Sequence, residues 1–222
     1  MAEQSCYMCE RPATSLEHVP PRCIFPEAKD LGVDYRKSLI TVPSCDTHNM
    51  EKSGDDEYLM MVLTCNIINN TVAMKQIETK ILRAWERNPC LAELLLRVNR
   101  PVVANGTLTL ACKVDFNRVS RSLDWLVRGL YYNEYKKKLL AELRIEIPAM
   151  LSFGGENAVR SNRIRSDIGA EVNRVLSNLP RVGENPNVFW YQISDNRPDR
   201  LMVNMVFFGC LQVFGLHRPR RV

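Results

Sequence analysis

Residues 6–49 read CYMCERPATSLEHVPPRCIFPEAKDLGVDYRKSLITVPSCDTHN, and this stretch decides the fold. It opens on Cys6-Tyr7-Met8-Cys9, a CxxC, and closes on Cys45-Asp46-Thr47-His48, a CxxH. Two such pairs supply four soft or borderline ligands, the set that tetrahedral structural zinc takes. A CxxC turn lets two thiolates converge on one ion. At a helix start, the i, i+3 relation of Cys45 and His48 puts both side chains on one side. A structural Zn2+ on Cys6, Cys9, Cys45 and His48 would tie the N-terminal segment to the following helix and fix what lies between. The competing reading is incidental cysteines with His48 at the surface. A lone CxxC would not displace it, but two pairs in one chain do. Cys23 has no partner at ligand spacing and is read as buried and non-ligating.

The surrounding composition suits this reading. The chain has 222 residues, 45% hydrophobic and 25% charged, enough apolar material for a core of ordinary size. Its formal net charge of +5 permits a polyanionic partner without demanding one. Met1–Ser5 shows no basic n-region leading into an apolar run, and Tyr58–Leu63 and Leu201–Leu216 are too short or too interrupted to span a bilayer. A cytoplasmic protein with no membrane role is therefore expected. Thiols stay reduced there, so eight cysteines do not imply a disulfide framework. Cys65, Cys90, Cys112 and Cys210 stand alone in apolar surroundings and read as small buried hydrophobes.

Residues 1–57 are rich in turns, with Pro12, Pro20, Pro21, Pro26 and Pro43, and a unit this small needs a staple such as a metal. From Asp55 the texture changes. Tyr58–Arg87 carries apolar residues at helical spacing, Asn88-Pro89 interrupts it, and Cys90–Val98 resumes it. Val102–Ala104, Asn105-Gly106 and Thr107–Leu110 form a hairpin signature, because Asn-Gly tolerates the positive φ of a type I′ turn. Ser120–Leu140 and Asn157–Leu179 read as helices, and Leu143–Ile147 as a strand. Val188–Ile193 and Leu201–Phe214 read as two strands joined by a polar turn around Asp195–Asp199. The fold class is thus α+β: a small zinc-stapled ββα unit over 1–57, then an α+β region over 58–222 with helices and a small antiparallel sheet.

Between the zinc pairs lies Glu17-His18-Val19-Pro20-Pro21, and directly after the second pair comes Asn49. With CYMC, LEHVPPRCIF and SLITVPSCDTHNMEKSGDDEY in this order, residues 6–57 resemble the HNH endonuclease family, in its zinc-containing ββα-metal branch. The resemblance implies that His18 is the general base that activates water for attack on phosphorus. It implies that Glu17 and Asn49 organise a catalytic divalent ion, Mg2+ or Mn2+. Glu17 and His18 would end the first strand, Leu39–Val42 would form the second, and the helix would begin at Cys45. The middle position of the family motif, commonly Asn or His, has no match here, and Ser38 is the nearest polar residue. The residue chemistry agrees: imidazole titrates near neutral pH, and a carboxylate with an amide oxygen suits a hard cation. The bland alternatives are a hydrogen-bonded structural histidine and a solvated carboxylate.

The resemblance implies cleavage of nucleic acid, with DNA as the family's usual substrate and RNA left open. A role in phage defence or a mobile element follows by analogy alone. The rest of the chain would position substrate, self-associate or bind a regulatory protein. Arg160, Arg163 and Arg174 can share a helical face as a phosphate-binding stripe, or simply face solvent. Tyr135–Lys138 is a basic run read as solvated, and Phe189-Trp190-Tyr191 is read as strand core. The competing class is a catalytically inactive zinc-binding module that binds nucleic acid or a protein partner.

Overall fold

The computed structural model describes residues 4–50, 53–104, 106–194 and 197–218. Strand β1 (Ser15–His18) pairs antiparallel with β2 (Thr41–Ser44), so that His18 lies opposite Thr41 and Ser15 opposite Ser44. Between them lies the short helix α1 (Ala28–Leu31). Helix α2 (Asp46–Met50) follows β2 directly, and α3 (Ser53–Thr64) comes next. The expected strand–strand–helix order is therefore present.

The long helix expected over Tyr58–Arg87 is broken. Asn69 Nδ2 donates to the carbonyls of Leu63 and Thr64 at 2.7 and 3.0 Å and so closes α3. Asn70 Oδ1 accepts from the amides of Val72 and Ala73 and so opens α4 (Thr71–Gln76). Two asparagine side chains satisfy the orphan groups of two helix ends at one point, which makes a break there cheap. A π turn over Ile77–Ile81 leads into α5 (Leu82–Arg87), and α6 (Pro89–Leu96) follows. Strands β3 (Asn99–Ala104) and β4 (Thr107–Cys112) form the expected hairpin, with Gly106 at φ +77° and Asn105 outside the described residues.

Helix α7 (Phe116–Tyr135) is capped by Asp115, which accepts from the Arg118 amide, and ends at Lys136 in the left-handed region. It therefore starts one turn earlier and stops sooner than the expected span. Strand β5 (Leu143–Glu146), helix α8 (Gly155–Leu176), and strands β6 (Val182–Asn185), β7 (Phe189–Ile193), β8 (Met202–Phe207) and β9 (Leu211–His217) complete the chain. Among the described residues the last five strands form one antiparallel sheet in the order β5-β9-β8-β7-β6. Strand β6 was not expected. The single strand expected over Leu201–Phe214 is two strands, because Phe208 and Gly209 take positive φ (47° and 81°) and reverse the chain. Asp195 lies outside the described residues.

Alternation sorts the sheet into two faces. Phe189, Tyr191, Val203, Met205, Phe207 and Val213 point inward to a large core shared with α3 and α7. Phe214 points outward and packs with Val172 and Leu176 of α8. Helix α7 is squeezed between layers. A Cβ on Gly129 would meet Val19 Cγ2 at 2.7 Å, and a Cβ on Gly215 would meet Val127 Cγ2 at 2.5 Å. Tyr7, Val19, Ile24, Phe25 and Val42 belong to the same core as Leu123, Leu126 and Val213. Residues before and after position 57 thus share one hydrophobic core. Among the described residues, no helix is long and apolar enough to cross a membrane.

Candidate metal centre and the strand end beside it

Cys6, Cys9, Cys45 and His48 come together with every ligand atom within 4.8 Å of every other. Cys9 Sγ lies 3.9 Å from Cys45 Sγ. His48 Nδ1 lies 3.5, 3.6 and 3.3 Å from the sulfurs of Cys6, Cys9 and Cys45. Tetrahedral zinc, with bonds of about 2.3 Å to sulfur and 2.0–2.1 Å to nitrogen, requires S···S near 3.8 Å and S···N near 3.6 Å. These four separations are close to the edge lengths of a zinc tetrahedron, and the donor set fits a structural metal such as zinc.

The backbone builds this cage. Cys6 donates its amide to the Arg11 carbonyl at 2.9 Å and accepts the Met8 amide on its sulfur at 3.4 Å, which curls the CxxC into a knuckle. Burial pushes the Cys6 thiol up, but the amide of Met8 and its neighbours pull it further down, and the net direction is downward. The His48 amide does the same for Cys45, whose thiol is also lowered. Both shifts favour the thiolate that a metal needs. The second layer is polar: Arg11 reaches Thr47 Oγ1, and Thr14 Oγ1 donates to Asp46 Oδ1, each at 2.5 Å. Lys138 donates to the Cys9 carbonyl at 2.7 Å and pairs with Glu10 at 2.8 Å. The last lysine of the expected solvated run is thus a clamp on the knuckle.

Cys23 stays out of the cluster, as expected. Its Sγ faces the Asp56 carbonyl at 3.5 Å, and burial pushes its thiol up to about 12. The isolated cysteines divide. Cys65 and Cys112 are half-buried, whereas Cys90 and Cys210 are exposed, so the buried reading fails for these two.

Glu17, His18 and Asn49 lie around the β1–β2 ribbon. Glu17 and His18 are neighbours in a strand, so their side chains leave opposite faces. Glu17 points inward and is only 8% exposed. Its partner there is the buried Tyr7 hydroxyl. Burial, and then the Glu17 carboxylate, hold that hydroxyl well above the usual tyrosine range. His18 closes the ladder and is half-buried. Burial, with Arg22 adding to it, lowers its pKa from the ordinary histidine value, so the ring is neutral at pH 7 and can accept a proton. Asn49 is exposed and donates from Nδ2 to Ser15 Oγ at 3.2 Å. Ser38 is exposed, with φ at 52°. Of the two oxygen donors expected for a divalent ion, the Glu17 carboxylate faces the core against Tyr7 and the Asn49 amide is turned to Ser15, so an ion held by both would require Glu17 to leave Tyr7.

The basic residues of the second region also divide. Arg165 is spent on the carbonyl of Met150 and the hydroxyl of Ser152, and Arg174 on Glu171, leaving Arg160 and Arg163 exposed. Comparison with known protein families, with characterised proteins and with solved structures finds no match to this chain.

Proposed function

We propose that the protein hydrolyses phosphodiester bonds in nucleic acid as an HNH-type endonuclease, with His18 as the general base and DNA as the substrate. The observation that carries this reading is the position of His18. It ends the first strand of a ββα arrangement whose CxxC knuckle and helix start are drawn together by the Cys3His cluster. Such a staple holds a small unit rigid around one partly accessible imidazole. A water beside His18 gives its proton to the ring, its oxygen forms the new bond to phosphorus, and the ester oxygen leaves with the electron pair of the broken P–O bond. The reading would place Mg2+ or Mn2+ on Glu17 and Asn49, which requires the Glu17 carboxylate to turn away from Tyr7.

One observation favours a second reading. A carboxylate committed to Tyr7 in the core suits a zinc-held scaffold that binds nucleic acid or a protein partner without cutting. A plasmid nicking assay on the whole chain separates the two. Wild type with Mg2+ or Mn2+ is expected to nick supercoiled DNA, and His18→Ala to lose that activity while keeping its zinc content. If wild type never exceeds His18→Ala with either metal, the enzyme reading fails. Glu17→Gln should then show whether Glu17 serves cleavage or only the core: a structural role moves the melting temperature and leaves the metal dependence alone.

A further inference from the structure

The outer face of the sheet carries a cleft that the ββα unit does not touch. It lies beyond the C-terminal end of α8, on the side of the sheet away from α7 and His18, and has a volume of about 400 Å3. That lies within the range of small-molecule sites, roughly 300–1,000 Å3. Its floor is built of carboxamides. Asn173 and Gln212 exchange hydrogen bonds at 3.1 and 2.8 Å. Asn204 donates from Nδ2 toward Asn173 Oδ1 and Gln192 Oε1, both at 3.4 Å. Gln192 is locked in turn by the carbonyls of Leu176 and Leu179, each at 2.8 Å. Asn204 is 1% exposed, yet its Oδ1 has no hydrogen-bond partner among the described residues. Leaving a buried acceptor unmatched is costly, so a donor group entering the cleft, or a water, gains by bonding it.

The wall of the cleft is Trp190, on which the Arg181 guanidinium stacks 4.4 Å from the ring centroid. The expected core run Phe189-Trp190-Tyr191 is therefore split: its outer members face the core, and Trp190 faces this cleft. Among the described residues no carboxylate lines it, and Arg181 is its one cationic side chain.

We infer that this cleft binds a nucleobase. A base carries N–H donors and acceptors along one planar edge, which a carboxamide floor matches. Its flat face stacks on indole and guanidinium planes. The base can come from a free nucleotide, with its phosphate toward Arg181, or from an unpaired position in a strand. The inference is independent of the role of His18.

Cys210 lines the cleft and is exposed, so its alkylation reports occupancy. Iodoacetamide labelling of the full chain, read by peptide mass spectrometry, has exposed Cys90 as an internal control. The probes are the four common nucleoside 5′-monophosphates, a short single-stranded oligodeoxynucleotide of mixed sequence, the same strand fully paired, and maltotriose. At least one monophosphate or the single strand is expected to slow labelling of Cys210 about tenfold at millimolar concentration, and Cys90 not at all. Protection by monophosphates identifies a free-nucleotide site; protection by the single strand alone identifies a site for an unpaired base. Asn204→Leu should weaken binding roughly tenfold. Ser177→Trp, at the exposed rim, should abolish protection without touching the core, and serves if Asn204→Leu does not fold. Absence of protection by every base-bearing probe, protection by maltotriose instead, or protection undiminished in Ser177→Trp would overturn the inference.

Discussion

Replacing Gly129 by alanine tests how the strand end bearing His18 is held. Gly129 lies in the middle of α7, and an added Cβ would meet Val19 at 2.7 and 2.9 Å, well inside van der Waals contact. Val19 cannot yield easily. It is buried, it is β-branched and stiff at χ1, and it sits between His18 and Pro20. Overpacking of this kind costs about 1–3 kcal/mol. Alanine recovers at most about 1 kcal/mol of helix propensity. The net expectation is a loss of roughly 1–2 kcal/mol, or about 2–8 °C in Tm for a chain of this size. Val19→Ala alone removes two buried methyl groups and should cost roughly 2–3 kcal/mol. In the double variant the new methyl at 129 occupies space vacated at 19. The double variant should therefore be more stable than the sum of the single losses predicts, by about 1–2 kcal/mol. Urea unfolding followed by circular dichroism measures all four corners of the cycle. A Gly129→Ala protein as stable as wild type, or a cycle that is simply additive, would refute the tight seating of α7 on β1.

Two further outcomes follow from the same contacts. The purified protein should carry one zinc, and Cys45→Ser should lose it. A structural zinc is worth about 10–16 kcal/mol in small domains, comparable with the whole stability of an ordinary fold at about 5–15 kcal/mol. Because Tyr7 and Val42 belong to the shared core, the loss should destabilise α7 and the sheet as well as residues 4–50; a Cys45→Ser protein that keeps its zinc and Tm would dismiss the cluster as a metal centre. Asp55 joins α3 to α7 through Arg118 and Arg121, at 2.5 and 2.6 Å. Burial alone would raise its carboxyl, but Arg121 and Arg118 outweigh it and hold the pKa below the usual aspartate range. A depressed folded pKa contributes stability above the unfolded value, near 3.9, and loses it as pH falls through the folded value. Asp55→Asn should thus cost about 1–2 kcal/mol at pH 7 and progressively less below pH 4; a cost independent of pH across that range would exclude the ion pairs as its cause.

The sequence was most legible where ligand chemistry and periodicity agree. CxxC and CxxH stand at ligand spacing for one metal ion, and their four side chains meet. The period of α7 is plain because Leu123, Leu126, Val127 and Leu130 all face one core. Two differences share one cause: hydrophobicity runs on through a turn. Ile67 and Ile68 continue the apolar texture of α3, so the break was signalled only by Asn69 and Asn70, whose side chains do the capping. Phe208 is fully buried within the turn between β8 and β9, so Leu201–Phe214 shows no polar gap. Its amide and carbonyl instead bond Val188 and Asn70, tying the turn to the broken helix. Strand β6 is invisible for the opposite reason: Gly183, at φ +144°, sits where a Cβ would meet the Phe189 carbonyl at 2.7 Å, the register shifts between Val182 and Asn185, and the segment does not alternate.

The candidate site was less legible than the cage around it, because a motif names residues without giving their direction. Adjacent Glu17 and His18 look like a pair in sequence, but a strand turns neighbours to opposite faces. The partner that draws Glu17 inward, Tyr7, sits inside the CxxC knuckle itself, between Cys6 and Cys9. The same knuckle therefore fixes the strand that ends in His18 and holds the carboxylate next to it in the core. If Glu17 serves a divalent ion, the Tyr7 contact must first open. Tyr7→Phe, which leaves the ring packing intact and removes the hydroxyl, should then raise metal-dependent cleavage. In a purely structural role the same change would leave a buried carboxylate without its donor and lower stability by about 1–3 kcal/mol with no gain in rate. The sign of that one comparison assigns the carboxylate.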